Sequence, residues 1–564
     1  MLSSLTFVQR FLRSGCVTAR GVKRSVAGRM CAAVVLAAMA SDATAEPLVA
    51  LGTLGGTEST ALSINNAGQV AGHAELANGE FHAFLYSGGA MTDLGALASS
   101  DHSSATAINE AGQVVGRMNV PGGTHAFLYD NGIVTDLGTL GGWLSDAAAI
   151  NDAGQVVGWS LTSETARAFL YEDGAMSILG MLGTSSFAID INNAGQVAGD
   201  FITEEGDQHA FLYSNGVMTD LGTLGGNESH ARAMNEAGQV VGDSLNAAGE
   251  RRPFFYSSGV MTDIGSFGST SGLAQDINDA GQVVGTSTLA GETMGHAFLY
   301  SANTMTDLGT LWGTHSGATA INNSGQVTGW VSSGAGTVAK PFLYSDGLMF
   351  DLGSLPGNAR TYTTDINDAG QVVGYAQGLV TVWAHAFFTP CPLLPATTCF
   401  AGTKSSLLVK DGPFSRDSVR WKWSGGPEIV QADLGNPAAT TSYRACMYDS
   451  TAGVDSLVTK LEINPTSAWS NESPRGWTYR DRSASEDGVQ QLQLTAGQAG
   501  RTRVRLGAKG PGIPMPAAFS SAELFDQNTQ VTIQLFNDAT SACWTSAFPS
   551  SIVNTATRFK AKTP

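Results

Sequence analysis

Three aspartates, Asp190, Asp276 and Asp365, stand two residues before a recurring Asn, where equivalent places in the chain hold Ser63, Ala107, Ala149, Ala233 and Ala320. Carboxylates that converge bind a divalent cation or raise one another's pKa. With a loop His or Arg beside them they could serve a hydrolase or lyase. The other reading is that each carboxylate accepts hydrogen bonds from nearby backbone, as buried polar groups do. His and Asp also recur together: His82 with Asp93, His125 with Asp136, His209 with Asp220 and His296 with Asp307. A base oriented by a carboxylate is what general-base catalysis needs. Repetition along the chain instead fits a structural tie, and where Arg167 replaces His, Ile178 replaces Asp, as expected of residues that touch. No nucleophile elbow, metal-binding His cluster or dinucleotide fingerprint occurs.

The elements that hold these residues repeat. Near copies of Ala149-Ile-Asn-Asp-Ala-Gly-Gln-Val-Val-Gly158 return with their Gly at Gly68, Gly112, Gly154, Gly195, Gly238, Gly281, Gly325 and Gly370. A spacing in the low forties is that of propeller blades and some solenoid units. A His-Ala-Phe-Leu-Tyr block follows each copy, intact at His82, His125, His209 and His296 and varied where it begins at Arg167, Arg252, Lys340 and His385, and Met-Thr-Asp-Leu-Gly or a near copy comes after all but the last. Short apolar runs bounded by Gly, Asn, Asp and Ser read as strands and turns. One unit is expected to hold strands at Thr135–Leu140, Ala147–Ile150, Gln155–Trp159 and Ala168–Tyr171. The Asn copies, from Asn65 to Asn367, are read as turn residues bonding to their own backbone. A calcium loop would need more carboxylates at alternate positions.

The turn motif and the aromatic block each occur eight times, but only seven Leu-Gly strands follow an aromatic block. The eighth stands in front, in Val49-Ala-Leu-Gly-Thr-Leu-Gly-Gly56, and His385-Ala-Phe-Phe-Thr389 has none after it. A strand missing at one end and supplied at the other is what closing a ring requires. The expected fold is therefore all-β: an eight-bladed β-propeller over 46–389, its last blade sealed by residues 48–54, then a linker over 390–403 and a β-sandwich over 404–564.

Antiparallel strands sort the connections onto two faces. One carries the tight turns. The other collects the variable segments, which contain Trp143, His230, Trp312, His315, Arg360 and Tyr362, residue types suited to binding, on loops where recognition often resides. Unconstrained drift would also produce such variety.

Charge divides the chain. Residues 46–389 hold 33 acidic against 7 basic residues, and 390–564 hold 14 against 17. So acidic a repeat region argues against nucleic acid, whose phosphates need a basic face. Lys23, Arg24 and Arg29 ahead of the apolar run Met30–Ala40, with Ala43-Thr-Ala45 after it, read as an export signal over 1–45. The run is too short to span a bilayer. Beyond Cys16 and Cys31 there remain Cys391, Cys399, Cys446 and Cys543, an even number that fits disulfides in an exported protein. The expected pairs are Cys391 with Cys399 and Cys446 with Cys543. A four-thiolate zinc site is the rival, without a close Cys-x-x-Cys pair to support it.

The His-Ala-Phe blocks, preceded by Ile-Asn-x-Ala-Gly-Gln-Val and followed by Asp-Leu-Gly-Thr-Leu-Gly-Gly, resemble the HAF-repeat family of bacterial extracellular proteins over about residues 46–389. The resemblance implies secretion, with no established activity and no catalytic residues to carry over. After Pro390 the runs Lys404–Asp411, Ser418–Trp423, Gly488–Leu494, Thr502–Leu506 and Gln530–Phe536 alternate polar and apolar residues like half-buried strands. This region looks like a β-domain attached to other secreted bacterial proteins. The functional expectation is a secreted, non-enzymatic protein that binds a glycan, peptide or cell-envelope partner, without nucleic acid, membrane span or cofactor. The alternative is an extracellular hydrolase or lyase with the three aspartates, and a divalent cation, in the propeller channel.

Overall fold

The computed structural model describes the chain from residue 48 onward, apart from 96–101, 293, 334–337, 346, 356–359, 379–383, 390–398, 411–416, 435, 439–442, 452–453, 464–467, 472–475, 482–488, 510–530, 538–542, 550, 552, 556–557 and 564. Cys16, Cys31 and the export segment lie outside the described residues, as does Cys391. Among the described residues every regular element is a strand except one 3-10 turn at Gln431–Leu434.

One unit shows how the repeat folds. Its strands are Ser145–Ile150, Val156–Leu161, Ala166–Glu172 and Ala175–Ile178, each antiparallel to the next. The turn after the first strand is closed by Asn151 N donating to Gln155 O at 3.1 Å and Gly154 N to Asn151 O at 3.0 Å. Gly154 adopts φ +79°, a left-handed conformation that glycine takes without steric cost. Gly158 serves differently: a Cβ there would lie 2.0 Å from Asp146 O, so only glycine lets the two strands pass beside the register shift at Ala147/Ala149. The observed strands lie within about two residues of the expected ones, the usual uncertainty of strand ends.

The same group recurs along the chain, with first strands at Gly55–Ile64, Ser103–Ile108, Ser185–Ile191, Gly225–Met234, Gly268–Ile277, His315–Ile321 and Arg360–Ile366. Each unit is too thin to bury its own apolar faces. The core therefore forms between units: Val157, Ala168 and Leu170 of one pack with Ala188, Ile191, Val197 and Phe211 of the next. A fully buried Phe such as Phe211 is worth about 1.5–3 kcal/mol in transfer free energy. First strands touch their counterparts in the neighbouring units. The group beginning at Arg360 has three strands of its own, and its outer edge pairs antiparallel with Val49–Ala50, Val49 opposite Phe388 and Ala50 opposite Phe387. Leu51 and Ala61 share a core cluster with Val373 and Ala386. Radially repeated four-stranded sheets are the architecture of a β-propeller.

A serine fastens most units to their predecessor. Ser145 Oγ accepts from Ala126 N at 2.8 Å and donates to Gly138 O at 2.6 Å, and Ser103, Ser229 and Ser316 repeat both bonds. Ser59 does so for Ala386 N at 3.0 Å. Where proline replaces that alanine the donor is gone. Opposite Pro253 the serine is Gly272, and opposite Pro341 it is Thr361, whose buried hydroxyl has no partner.

After Pro390 two further sheets share one buried cluster, including Trp421, Trp423, Tyr443, Leu461, Val504 and Trp544. The expected disulfides are corrected. Cys399 is bonded to Cys543, with Cα atoms 4.7 Å apart. The reason is register: Phe400–Ala401, inside the expected linker, forms a strand parallel to Cys543–Phe548 with Phe400 opposite Trp544, which sets Cys399 beside Cys543. Cys446 is disulfide-bonded as well. Peptide mapping of the unreduced protein should recover Cys399 linked to Cys543; a Cys446–Cys543 peptide would contradict the register.

Candidate functional site

The turn end of the repeat is built as two hydrogen-bonded circuits. Asn65 Nδ2 donates to Asn109 O at 3.0 Å, and Asn109, Asn151, Asn192, Asn235, Asn278 and Asn322 each donate onward to the next Asn carbonyl. Asn367 Nδ2 then donates to Asn65 O at 3.0 Å, so the series returns to its start. Each amide also donates to the Gln four residues on and accepts that Gln's backbone N–H, as Asn151 does with Gln155 at 2.7 and 2.9 Å. The turn reading of these asparagines captured half of their work. The next residues form the outer circuit: Asn66 N donates to Glu110, Glu110 N to Asp152, Asp152 N to Asn193, and so on to Asp368 N, which donates to Asn66 Oδ1 at 2.8 Å. Burial, with Asp152 and Asp368 nearby, raises the Glu110 pKa against the lowering pull of Asn66 N–H.

The three singled-out aspartates bridge neighbouring units. Asp276 accepts Ile277 N and Ile321 N, both at 2.8 Å; Asp190 accepts Ile191 N and Met234 N; Asp365 accepts Ile366 N, Ile64 N and the Ser63 hydroxyl. Both oxygens of each carboxylate thus serve backbone donors. Among the described residues no group of three His, Cys, Asp or Glu side chains is placed to hold a metal ion. Burial is the main cause of the raised pKa values, about 6 for Asp190 and about 7 for Asp276, where Asp365 and Asp190 add repulsion. Asp365 is raised by burial too.

The His–Asp combinations are cross-strand ties. His82, His125, His209 and His296 meet their Asp partners at 2.9 to 3.0 Å, and Arg252 and Lys340 replace His at 3.1 and 2.8 Å. The same carboxylates cap the following turn, as Asp136 does for Gly138 N at 2.8 Å. Arg167, lacking an Asp partner, donates to Gly183 O instead.

Chemical variety gathers elsewhere, at the opposite end of the first two strands. The residue five before each turn Asn pairs directly across the sheet with the residue eight after it: Ser104 with Arg117, Asp146 with Trp159, Phe187 with Asp200, His230 with Asp243, Gly317 with Trp330, Tyr362 with Tyr375. In five units the second member, counting His73, then reaches the first member of the next unit. His73 Nδ1 lies 3.2 Å from Ser104 Oγ, Arg117 Nη1 3.2 Å from Asp146 Oδ2, and Asp200 Oδ2 3.5 Å from His230 Nδ1. Trp159 meets Phe187 edge-on at 5.6 Å and Trp330 meets Tyr362 at 6.4 Å. The result is a belt of unlike side chains on a like backbone.

Electrostatics differ along this belt. Asp243 is fully buried and clamped by Arg232 at 3.3 Å and by Arg251, which also reaches Glu228 at 3.4 Å. The bond to Asp200, with Asp243 nearby, raises the His230 pKa against burial and Arg251. Burial and Arg117 lower that of His73. Burial raises that of Asp146 against the pull of Arg117.

Of the six residues expected on loops, His230, His315, Arg360 and Tyr362 belong to first strands, which extend further than their short apolar runs indicated. His230 and Tyr362 are belt members. His315 is buried and meets Thr314 Oγ1 at 2.7 Å. Arg360 Nε is buried without a partner. Trp143 and Trp312 are exposed, and Lys340 Nζ sits 5.4 Å above the Trp312 ring. His73, Arg117, Asp146, Trp159, Asp200 and Trp330 were missed, though the signal was in the chain: two positions at fixed offsets from an otherwise constant motif never settle on one residue type.

No family model matches the chain, and no curated protein does. Solved structures similar to it include a puromycin-hydrolyzing peptidase of Mycobacterium tuberculosis, 12% identical over 56% of this chain with TM-score 0.33; the chain spans 56% of that protein's length. The β-propeller domain of the Trilobed protease from Pyrococcus furiosus is 8% identical, covering 50% of this chain and 93% of that one with TM-score 0.35. The SapL1 lectin in complex with alpha methyl fucoside is 12% identical, covering 49% and 88% with TM-score 0.26.

Two outcomes test this end-to-end division. Replacing Asn151→Asp removes the amide donor to Asn192 O and sets an anion against a carbonyl, which should cost about 2–3 kcal/mol in denaturant unfolding. The raised aspartate pKa values mean that between pH 3.8 and about 7 the folded chain holds protons the unfolded chain releases. Stability should therefore fall as pH rises through that window and level off above it. The Tm of an Asp190→Asn, Asp276→Asn, Asp365→Asn variant should lose that slope; parallel profiles would refute the burial argument.

Proposed function

We propose that the chain is a secreted, non-enzymatic recognition protein: a closed propeller of eight blades, sealed by residues 48–54 and followed by a β-sandwich, whose belt end binds a glycan, peptide or cell-envelope partner. The observation that carries this reading is the contrast between the two ends. One end spends the same Asn, Ala, Gly and Gln in unit after unit on circuits that leave little to bind with. The belt end varies His, Arg, Asp, Trp, Phe and Tyr over equivalent backbone positions, and rigid strands present them. Trp330, Tyr362 and Tyr375 cluster there with centroids 6.4 and 5.6 Å apart, and such aromatic groups dominate recognition surfaces.

Two observations support placement outside the cytoplasm. A disulfide joins Cys399 to Cys543, and such bonds persist in oxidising compartments. The likeness of the repeats to the HAF-repeat family points the same way. The carboxylates Asp190, Asp276 and Asp365 are spent on backbone donors, so the recognition reading is preferred over hydrolysis in the channel.

Glycan and peptide arrays probed with the mature full-length chain test the proposal. A ligand retained by the wild type should bind about tenfold or more weakly to a Trp330→Ala, Tyr362→Ala double variant of unchanged Tm. Equal capture by both proteins would place recognition elsewhere.

A further inference from the structure

We propose that the outer face of the eight-stranded sheet that follows Pro390 is a docking surface for an anionic lipid bilayer. The inference stands apart from the recognition reading, which concerns the repeats. Four neighbouring strands make the face: Lys404–Lys410, Ser418–Ser424, Arg503–Lys509 and Arg558–Lys562. Their alternate residues, among them Val409, Trp421, Leu506 and Phe559, belong to the buried cluster. The intervening positions lie on the other face and carry Lys, Arg, Ser, Gly and one Leu, without a single acidic residue. Every basic one is exposed except Lys560, which is half-buried. Among the described residues none of these cations forms an ion pair.

The register sets like charges against one another. Lys422 stands directly opposite Arg505 and Lys410 directly opposite Arg558, while Arg420, whose own partner is Gly507, has Arg505 and Lys509 as diagonal neighbours. Directly opposed like charges destabilise a sheet. Edge protection does not explain them, since each of the four strands is paired on both sides. Solubility does not call for them either, because the whole chain already carries a net charge of −18. A cost kept in the fold with no local counter-charge calls for a counter-charge from outside. The layout indicates its form. Strands lie about 4.8 Å apart and same-face residues about 6.7 Å apart along each, so the cations spread in two dimensions instead of following one line. The phosphates of a bilayer surface are spread likewise and attract basic side chains from solution. Nucleic acid fits less well, because no outward position of these strands holds an aromatic ring on which a base could stack.

Co-sedimentation of the full chain with vesicles tests this, using phosphatidylcholine alone against phosphatidylcholine mixed in equal amount with phosphatidylglycerol. The protein should pellet with the mixed vesicles and stay in solution with the neutral ones. Raising salt from about 0.1 to about 1 M shortens the screening length from about 10 to about 3 Å and should release it. A Lys422→Gln, Arg505→Gln variant should bind the mixed vesicles about tenfold more weakly, with a Tm equal to or above that of the wild type because the opposed charges are gone. The charge-keeping exchange Lys422→Arg, Arg505→Lys should bind like the wild type, and Arg420→Gln, Lys509→Gln serves if the first variant does not fold. Equal pelleting with both kinds of vesicle, no pelleting with the mixed ones, or undiminished binding by the Gln variants would overturn the proposal. So would capture by heparin or duplex DNA without binding to the mixed vesicles, which would give the face to a soluble polyanion. None of these outcomes bears on the glycan and peptide arrays, so the recognition reading stands or falls separately.

Discussion

The constraint on which the rest depends is that a carboxamide both donates and accepts. Each turn asparagine takes a backbone N–H from within its own turn and gives one hydrogen to the next unit. An aspartate in the same place has no hydrogen to pass on, and a serine has one where two are used. A chain of such amides therefore propagates from unit to unit, and it leaves no end unsatisfied only because Asn367 finds Asn65. The buried aspartates follow the same logic in reverse. As pure acceptors, Asp190, Asp276 and Asp365 collect N–H groups from two neighbouring first strands at once.

With inter-unit geometry held at the turn end, the other end of the same strands is released from that duty. The belt residues need only fit the one neighbour they meet, and they do so in several chemical idioms: an ion pair at Arg117 and Asp146, an edge-on aromatic pair at Trp159 and Phe187, a carboxylate–imidazole contact at Asp200 and His230. Each solution is local. A change in one leaves the hydrogen-bonded circuits untouched, because those are closed by backbone and by residues five or more positions away along the strand.

Much of this was legible in the sequence. The recurrence of Asn-x-Ala-Gly-Gln-Val exposed the repeat, the short apolar runs between landmarks exposed the strands, and the uneven count of Leu-Gly strands pointed to the segment holding Val49 and Ala50 as partner of the last unit, where these two are found beside Phe387 and Phe388. The His–Asp ties were readable because their substitution by Arg167 and Ile178 was correlated. What escaped was whatever depends on register between segments distant in sequence. The disulfide pairing failed because nothing local reveals that Phe400 lies beside Trp544. Belt residues such as His230 and Tyr362 were assigned to loops because polar side chains hide the strand signal: a strand's short apolar run fades where its positions carry polar groups. Thr361 is a smaller case, its orphaned hydroxyl explained by Pro341, a residue some twenty positions away that lacks the N–H its relatives supply.

The sheet that unites Val49–Ala50 with Ala384–Phe388 carries a consequence for how the molecule comes into being. Ser59 and Ala386, joined by a hydrogen bond, are separated by 327 residues of chain. During synthesis every earlier unit can find its neighbour as soon as both have emerged, whereas the first unit must wait with one flank unmated until the final strand appears. Until then its apolar surface is an opening that a partner of the wrong kind could fill. A repeat array whose first and last units are joined by strands so far apart in sequence is thus most vulnerable to misassembly at its beginning.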